Sequence, residues 1–164
     1  VDVVNGPKQE KSPACGCPGS MARDFRDQPR LAVADPGGQG PVQSELRQWP
    51  VQLRLLNPHS SFFQDADLVV SADCVPFTFA DFHRKFLKGK VLVIFCPKLD
   101  AEIDEYIEKL AEVFRANNIK SVTIVRMEVP CCSGTEHVVE AALRQAGKNI
   151  IIRGYTVSLQ GDII

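Results

Sequence analysis

The sequence predicts an α/β fold in which helices flank a mostly parallel central sheet. From residue 44 onward, candidate strands alternate with candidate helices, and the strands are apolar at almost every position. Such continuous apolar runs are typical of parallel strands that are buried on both faces. The 164 residues suffice for a domain with a substantial core. We therefore expect a three-layer, flavodoxin- or Rossmann-like architecture.

The candidate elements follow from hydrophobic periodicity and from capping signals. Strands are expected at VQLRLL (51–56), DLVVSA (67–72), KVLVIF (90–95), SVTIVRM (121–127) and NIIIRGYTVSL (149–159), the last as one or two strands. Helices are expected at 78–89, 100–118 and 134–148, with a helical turn at 44–50 and a loop or short helix at 58–66. Two capping boxes are expected, one from Thr78 and Asp81 and one from Ser133 and Glu136. Gly89 should stop the first helix.

Residues 1–43 differ from the remainder of the chain. They contain SPACGCPGS and ADPGGQGPVQ, are rich in proline and glycine, and show little apolar periodicity. This composition predicts an irregular N-terminal arm or linker that carries Cys15 and Cys17. Residues 44–164 are then the α/β domain that would bind a cofactor.

Charge and hydropathy exclude several classes of partner. The formal net charge is −1, which gives no electrostatic reason to expect nucleic acid or an anionic membrane as a partner. The sequence contains neither an apolar run of about 18 residues nor the apolar core of a signal peptide. We therefore expect a cytoplasmic protein without a membrane partner.

Cysteines follow three of the predicted strands, each near the point where the strand ends. Cys74 follows DLVVSA, Cys96 directly follows KVLVIF, and Cys131 and Cys132 follow SVTIVRM. The carboxyl ends of parallel strands share one edge of a sheet, and ligand sites form at that edge. The sequence thus predicts that thiols from three connections converge on one rim.

Thiols in this arrangement suit an iron–sulfur cluster. No C-x-x-C knuckle of the kind used by structural zinc is present, whereas a cluster offers several iron corners to adjacent cysteines. The expected helix after Cys132 would direct its positive end toward the anionic cluster, and Lys98 could add positive charge. Cys15 and Cys17, separated by one glycine, could supply further ligands from the arm. Zinc, disulfides or inert buried thiols remain the alternatives, and flavin binding is a weaker one.

Several segments in order resemble a known family. They are CGCPGS (15–20), SELRQWPVQLRL (44–55), ADCVPF (72–77), FCPKLD (95–100) and IKSVTIVRMEVPCCSG (119–134). Together they resemble the C-terminal domain of ferredoxin-type [4Fe-4S] iron–sulfur binding proteins of anaerobic bacteria. In that family an N-terminal region with two ferredoxin-type motifs precedes these segments, and this sequence has no C-x2-C-x2-C run.

The resemblance implies a [4Fe-4S] or larger cluster and a role in electron transfer in anaerobic metabolism. The ligands that it implies are Cys15, Cys17, Cys74, Cys96, Cys131 and Cys132. The expected partner is a redox protein or a ferredoxin-type domain, and the chain could form a homodimer. Whether the protein is an enzyme stays open, because a cluster-dependent reductase of a small molecule and a zinc or thiol binding module are both compatible with the residues. The histidines are expected to be surface or packing residues.

Overall fold

The computed structural model describes residues 18–29 and 43–164. Its centre is a four-stranded, entirely parallel sheet in the order β4-β3-β5-β6. The strands of this sheet are β3 (Asp67–Ala72), β4 (Val91–Phe95), β5 (Ser121–Met127) and β6 (Ile151–Val157). A separate antiparallel pair joins β1 (Arg23–Asp24) to β2 (Gln48–Trp49). The predicted parallel sheet is confirmed.

Helices connect the strands. The α-helices are α1 (Val75–Thr78), α2 (Ile103–Ala116) and α3 (Gly134–Ala146), and a π-helical turn spans His83–Leu87. Single 3-10 turns lie at Pro18–Ser20, Leu53–Leu55, Ser61–Phe63 and Pro130–Ser133. None of the helices in the two described stretches is both long and apolar enough to cross a membrane.

Each face of the sheet has its own apolar core. On one face, Val70 and Val93 of the sheet share a buried cluster with Leu110 and Phe114 of α2 and with Val139 of α3. The other face carries a second cluster, whose members include Val69, Leu92, Val125, Phe82 and Phe86. Alternate residues of one strand, such as Val69 and Val70, therefore contribute to opposite cores. The result is the predicted three-layer arrangement.

The predictions for residues 44–56 are wrong. Instead of a helical turn and a strand, the chain forms β2 and then the 3-10 turn Leu53–Leu55. Leu53 and Leu56 are buried while Leu55 is exposed, so the apolar residues repeat with the period of a turn rather than with the period of two that a strand requires. One isolated backbone bridge, Gln52 to Ile94, joins this segment to the sheet, together with hydrogen bonds between the Gln48 side chain and Leu92.

The helix predicted at 78–89 is wrong in its start and its type, because α1 already ends at Thr78 and the predicted range forms the π-helical turn His83–Leu87. The hydroxyl of Thr78 donates to the carbonyl of Cys74 (3.0 Å), which places Thr78 at the end of α1 rather than at the start of a helix. Asp81 pairs instead with Arg84, so the first capping box does not form. Gly89 does end the segment, with a φ of 73°.

The second capping box is also wrong, although its helix is confirmed. The hydroxyl of Ser133 donates to the carbonyl of Pro130 (2.8 Å), and Glu136 accepts a hydrogen bond from Arg126 (3.0 Å). A 3-10 turn precedes α3 directly, so Ser133 is already helical and its side chain turns back. The other helix predicted from periodicity, 100–118, is confirmed as α2.

Candidate functional site at the carboxyl edge of the sheet

Four thiols follow the carboxyl ends of neighbouring parallel strands. Cys74 follows β3, Cys96 follows β4, and Cys131 and Cys132 follow β5. Because β3 pairs in parallel with both β4 and β5, these connections leave the same edge of the sheet. We call the residues of these three connections, 73–78, 96–100 and 128–133, the thiol rim. All four cysteines are free thiols.

The two adjacent cysteines occupy different environments. They lie in the 3-10 turn Pro130–Ser133, which is closed by a hydrogen bond from the Cys132 amide to the Val129 carbonyl (3.0 Å). Successive side chains on a 3-10 turn point about 120° apart. Cys131 accordingly faces solvent, whereas Cys132 is 5% exposed and joins the apolar cluster on the α1 side of the sheet.

The pKa of the Cys132 thiol is raised above its ordinary value. Burial is the main cause, and the negative charges that Cys131 and Cys74 would carry as thiolates raise this pKa further. A backbone hydrogen bond from Met127 acts in the opposite direction. Cys132 therefore keeps its proton at neutral pH, and a negative charge on either neighbouring thiol raises its pKa further.

Cys96 lies in a short, closed connection. The Cys96 amide donates to Oδ2 of Asp100 (2.9 Å), and the Asp100 amide donates to the Cys96 carbonyl (3.0 Å). Next to Cys96, Pro97 packs against the start of α3, where a Cβ built on Gly134 would lie 2.7 Å from the Pro97 Cβ. The connection after β4 is thus in contact with the helix that begins directly after the two adjacent cysteines.

Two carboxylates lie among the thiols. Asp73, which precedes Cys74, has a pKa raised first by burial and then by the negative charge of Asp100. The amide of Gln52 lies 3.4 Å from Oδ1 of Asp73 and lowers this pKa. The connections after β3 and β4 therefore place negative charges close to one another. Sequence reasoning did not select this pair, because only Asp73 directly follows a strand, whereas Asp100 lies at the end of the connection after β4.

The described residues do not form a complete metal site. Within residues 18–29 and 43–164, no three or more His, Cys, Asp and Glu side chains stand close enough together to hold a metal ion. The structure brings Cys74 and Cys131 near Cys132, and it places Cys96 on the same edge. Cys15 and Cys17, the remaining predicted ligands, lie outside the described residues.

The histidines take no part in the thiol rim. Nδ1 of His83 accepts a hydrogen bond from the Glu45 amide (3.0 Å), which is a packing role. Nε2 of His59 lies 3.5 Å from Glu112, and His137 is exposed on α3. The prediction of surface or packing roles for these residues is consistent with their positions.

A cavity of about 620 Å³ lies at the opposite, amino-terminal edge of the sheet. Its lining includes Lys88, Lys90 and Lys120, together with Arg26 and Arg47. The two arginines are engaged in structural contacts, since Arg26 binds Asp24 and Arg47 donates to the carbonyls of residues 26 and 28. The thiols line no part of this cavity, and their reactive chemistry makes the carboxyl edge the stronger candidate site.

Comparison with known families agrees with the architecture. The model of the Rossmann-like domain matches residues 60–164, which contain the whole parallel sheet and the thiol rim. The chain belongs to this family. In Rossmann-like domains ligands bind beyond the carboxyl ends of the strands, and the thiol rim of this Rossmann-like domain occupies that edge. The G-x-G-x-x-G pattern of dinucleotide-binding members is absent from the sequence.

One relative of this Rossmann-like domain comes from Archaeoglobus fulgidus. It is called "Uncharacterized protein" and is 29% identical over 119 residues, which cover 73% of this chain and 83% of the relative. No solved structure matches the chain.

Proposed function

We propose that this protein binds an iron–sulfur cluster, [4Fe-4S] or larger, through the cysteines of the thiol rim and transfers electrons in anaerobic metabolism. One observation carries the proposal. Thiols from three different connections follow the carboxyl ends of neighbouring parallel strands, the edge at which sheets of this kind bind ligands. Thiolates drawn from separate segments are the usual ligands of such clusters.

The donor set fits a cluster in its chemistry but needs further ligands. The described residues supply Cys74, Cys131 and Cys132, with Cys96 nearby, and they do not already stand in a ligand arrangement. Cys15 and Cys17 are the candidates to complete the set, together with a rearranged Cys96. Ligation by thiols from several segments would then close the site as the cluster is bound.

The described end of the arm is anchored to the segment beside β4. Nε1 of Trp49 donates to the carbonyl of Gly19 (2.7 Å), and Trp49 belongs to the segment that runs along the outer edge of β4. β4 ends at Phe95, directly before Cys96. In the sequence, Cys17 lies two residues and Cys15 four residues before Gly19.

The residues of the rim have separable tasks. Cys74 and Cys131 are exposed and meet incoming iron first, whereas the buried Cys132 must lose its proton to become a ligand. The positive end of α3 and the ammonium group of Lys98 offset the negative charge of four thiolates. A bound cluster supplies one-electron transfer, and the apolar residues around Cys132 restrict water on the inner side.

Anaerobic reconstitution tests the proposal. We expect a brown protein that contains iron and acid-labile sulfide in equal amounts, and we expect Cys131→Ser to lose most of both. Ser133→Ala is the matched control, because Ser133 is exposed in the same turn and is not a proposed ligand. Colourless wild-type protein after reconstitution would rule the proposal out, and one zinc per chain without iron would instead establish a zinc binding module.

The exposure of the rim favours one second candidate, a cluster-dependent reductase of a small molecule. Cys74 and Cys131 are both open to solvent, so a small substrate could reach an iron that lacks a protein ligand. Adding candidate ligands such as cyanide to the reduced protein should then change its EPR spectrum. An unchanged spectrum would leave electron transfer as the function.

A further inference from the structure

Large apolar side chains stand exposed around the thiol rim. Phe77 is 91% exposed, Leu99 is 83% exposed and Leu159 is 62% exposed. Phe77 and Leu99 each lie three residues after a rim cysteine, Cys74 and Cys96 respectively, and Leu159 follows the end of β6. All three therefore lie on connections that leave the carboxyl edge of the sheet.

Two of these connections touch directly. A Cβ built on Gly161 would lie 2.6 Å from the carbonyl oxygen of Thr78, so the loop that carries Leu159 lies against the end of α1, next to Phe77. The side of the rim that contains Leu99 contacts the start of α3 through Pro97. The exposed apolar residues thus lie on loops at the same edge of the sheet as the cysteines.

The charges of the same edge are mostly negative. Within the three rim connections and residues 158–164, the acidic residues are Asp73, Asp100, Glu128 and Asp162, and the basic residue is Lys98. The neighbouring Arg54 and Arg126 are each paired with a carboxylate, Glu102 and Glu136 respectively. Glu128 is fixed in this region by a hydrogen bond from the Leu159 amide (2.7 Å). Thiolates of a bound cluster would add further negative charge. The edge therefore presents apolar contacts within an acidic border.

We propose that this edge is the docking face for a positively charged redox protein, whose cofactor lies within an apolar patch bordered by lysine and arginine. The inference rests on the proposed function, since it names the partner with which the rim exchanges electrons. Apolar contact over a small area suits a transient encounter, and complementary charge accelerates that encounter. A symmetric pairing with a second copy would place the acidic border against itself, which is unfavourable.

Oxidation by ferricytochrome c, a small basic haem protein, provides a direct test. The reconstituted, reduced protein is mixed with ferricytochrome c in a stopped-flow instrument, and the second-order rate constant is measured at increasing ionic strength. We expect the rate to fall about tenfold as salt screens the charges. The double variant Phe77→Ser, Leu99→Ser should react about fivefold more slowly than the wild type.

Two controls isolate the docking step. Ile151→Ser removes an apolar side chain that is 65% exposed at the amino-terminal end of β6, away from the carboxyl edge. This variant should react with ferricytochrome c as fast as the wild type. Hexaammineruthenium(III), a small oxidant that needs no protein contact, should oxidise the double variant and the wild type equally fast. The proposed docking face would be overturned if the double variant reacted with ferricytochrome c as fast as the wild type does. It would also be overturned if an acidic cytochrome oxidised the wild type as fast as ferricytochrome c does.

A binding measurement separates this inference from the proposed function. Calorimetric titration with ferricytochrome c at low salt does not require a cluster, and the double variant should bind about fivefold more weakly. If the chain binds no iron, the proposed electron transfer is ruled out. The titration still shows whether the edge binds a positively charged protein. A wild-type dimer in sedimentation that the double variant dissociates would show that the face binds a second copy and would overturn the inference.

Discussion

Gly134 and Pro97 approach each other so closely that a Cβ on Gly134 would lie 2.7 Å from the Pro97 Cβ. This contact joins the start of α3 to the connection that contains Cys96. Gly134 has a helical backbone conformation, so the close approach, rather than a special φ, requires glycine here.

Gly134→Ala should therefore push the Cys96 connection away from the adjacent cysteines. We expect a loss of about 1–3 kcal/mol in the free energy of unfolding, measured in urea, and a lower iron content after reconstitution. Gly154→Ala is the control, because its nearest neighbour, Oε1 of Glu136, would lie at an ordinary 3.7 Å. Equal stability of the two variants would contradict the tight contact.

Serine substitutions should separate the two adjacent cysteines. Cys132 is buried, so Cys132→Ser places a hydroxyl among apolar side chains and should cost about 1–3 kcal/mol in the metal-free protein. Cys131 is exposed, so Cys131→Ser should stay within about 0.5 kcal/mol of the wild type. Both measurements use urea unfolding with reductant and chelator. A larger loss from Cys131→Ser would show that its side chain has a structural role that its exposure does not predict.

The raised pKa of Cys132 predicts a loss of stability at alkaline pH. The folded protein holds this proton more tightly than the unfolded chain does, so the contribution is complete below the ordinary cysteine pKa of about 8.5 and is lost as pH rises through the raised value. The urea midpoint of the metal-free wild type should fall more steeply above about pH 8 than that of Cys132→Ala. Parallel curves for the two proteins would refute this assignment.

Gln48 should be essential to the edge of the sheet. Its fully buried side chain donates to the Leu92 carbonyl (2.6 Å), and its Oε1 faces the Leu92 amide (3.4 Å). Gln48→Leu leaves both backbone groups of Leu92 without this partner, and we expect a cost of about 2–4 kcal/mol by urea unfolding. Gln160→Leu, at an exposed loop position, should change stability by less than about 0.5 kcal/mol.

Sequence patterns predicted the elements whose burial is regular. β3 and β5 were bounded correctly because each is a mainly apolar and buried run, and the 3.6-residue period located α2 and α3. The same patterns placed four cysteines at one edge. They failed where side chains replace backbone pairing, as at Gln48, whose amide bonds to a strand that is distant in the sequence.

Contacts between connections were also beyond sequence reasoning. The capping boxes do not form because the hydroxyls of Thr78 and Ser133 donate to carbonyls of the preceding turn. The spacing of residues in the sequence does not predict which backbone group such a hydroxyl will bind. The approach of Asp73 to Asp100 depends on how two loops fold over the edge of the sheet. The positions of the cysteines in the sequence identified the candidate thiols. That Cys131 is exposed and Cys132 is buried could be seen only from the geometry of the 3-10 turn.

The side chain of Gln48 has a further effect on assembly. It bonds to the backbone groups of Leu92, and the Val51 carbonyl accepts a hydrogen bond from the Ile94 amide (2.9 Å). These backbone groups of β4 are therefore not available to pair with a strand of another molecule. The other border of the sheet is the side of β6 that faces away from β5. On that side the described residues form backbone contacts only near the carboxyl end of the strand, at Thr156 and Val157. Aggregation by strand addition should therefore begin at residues 151–155, and a lysine introduced there would protect concentrated samples.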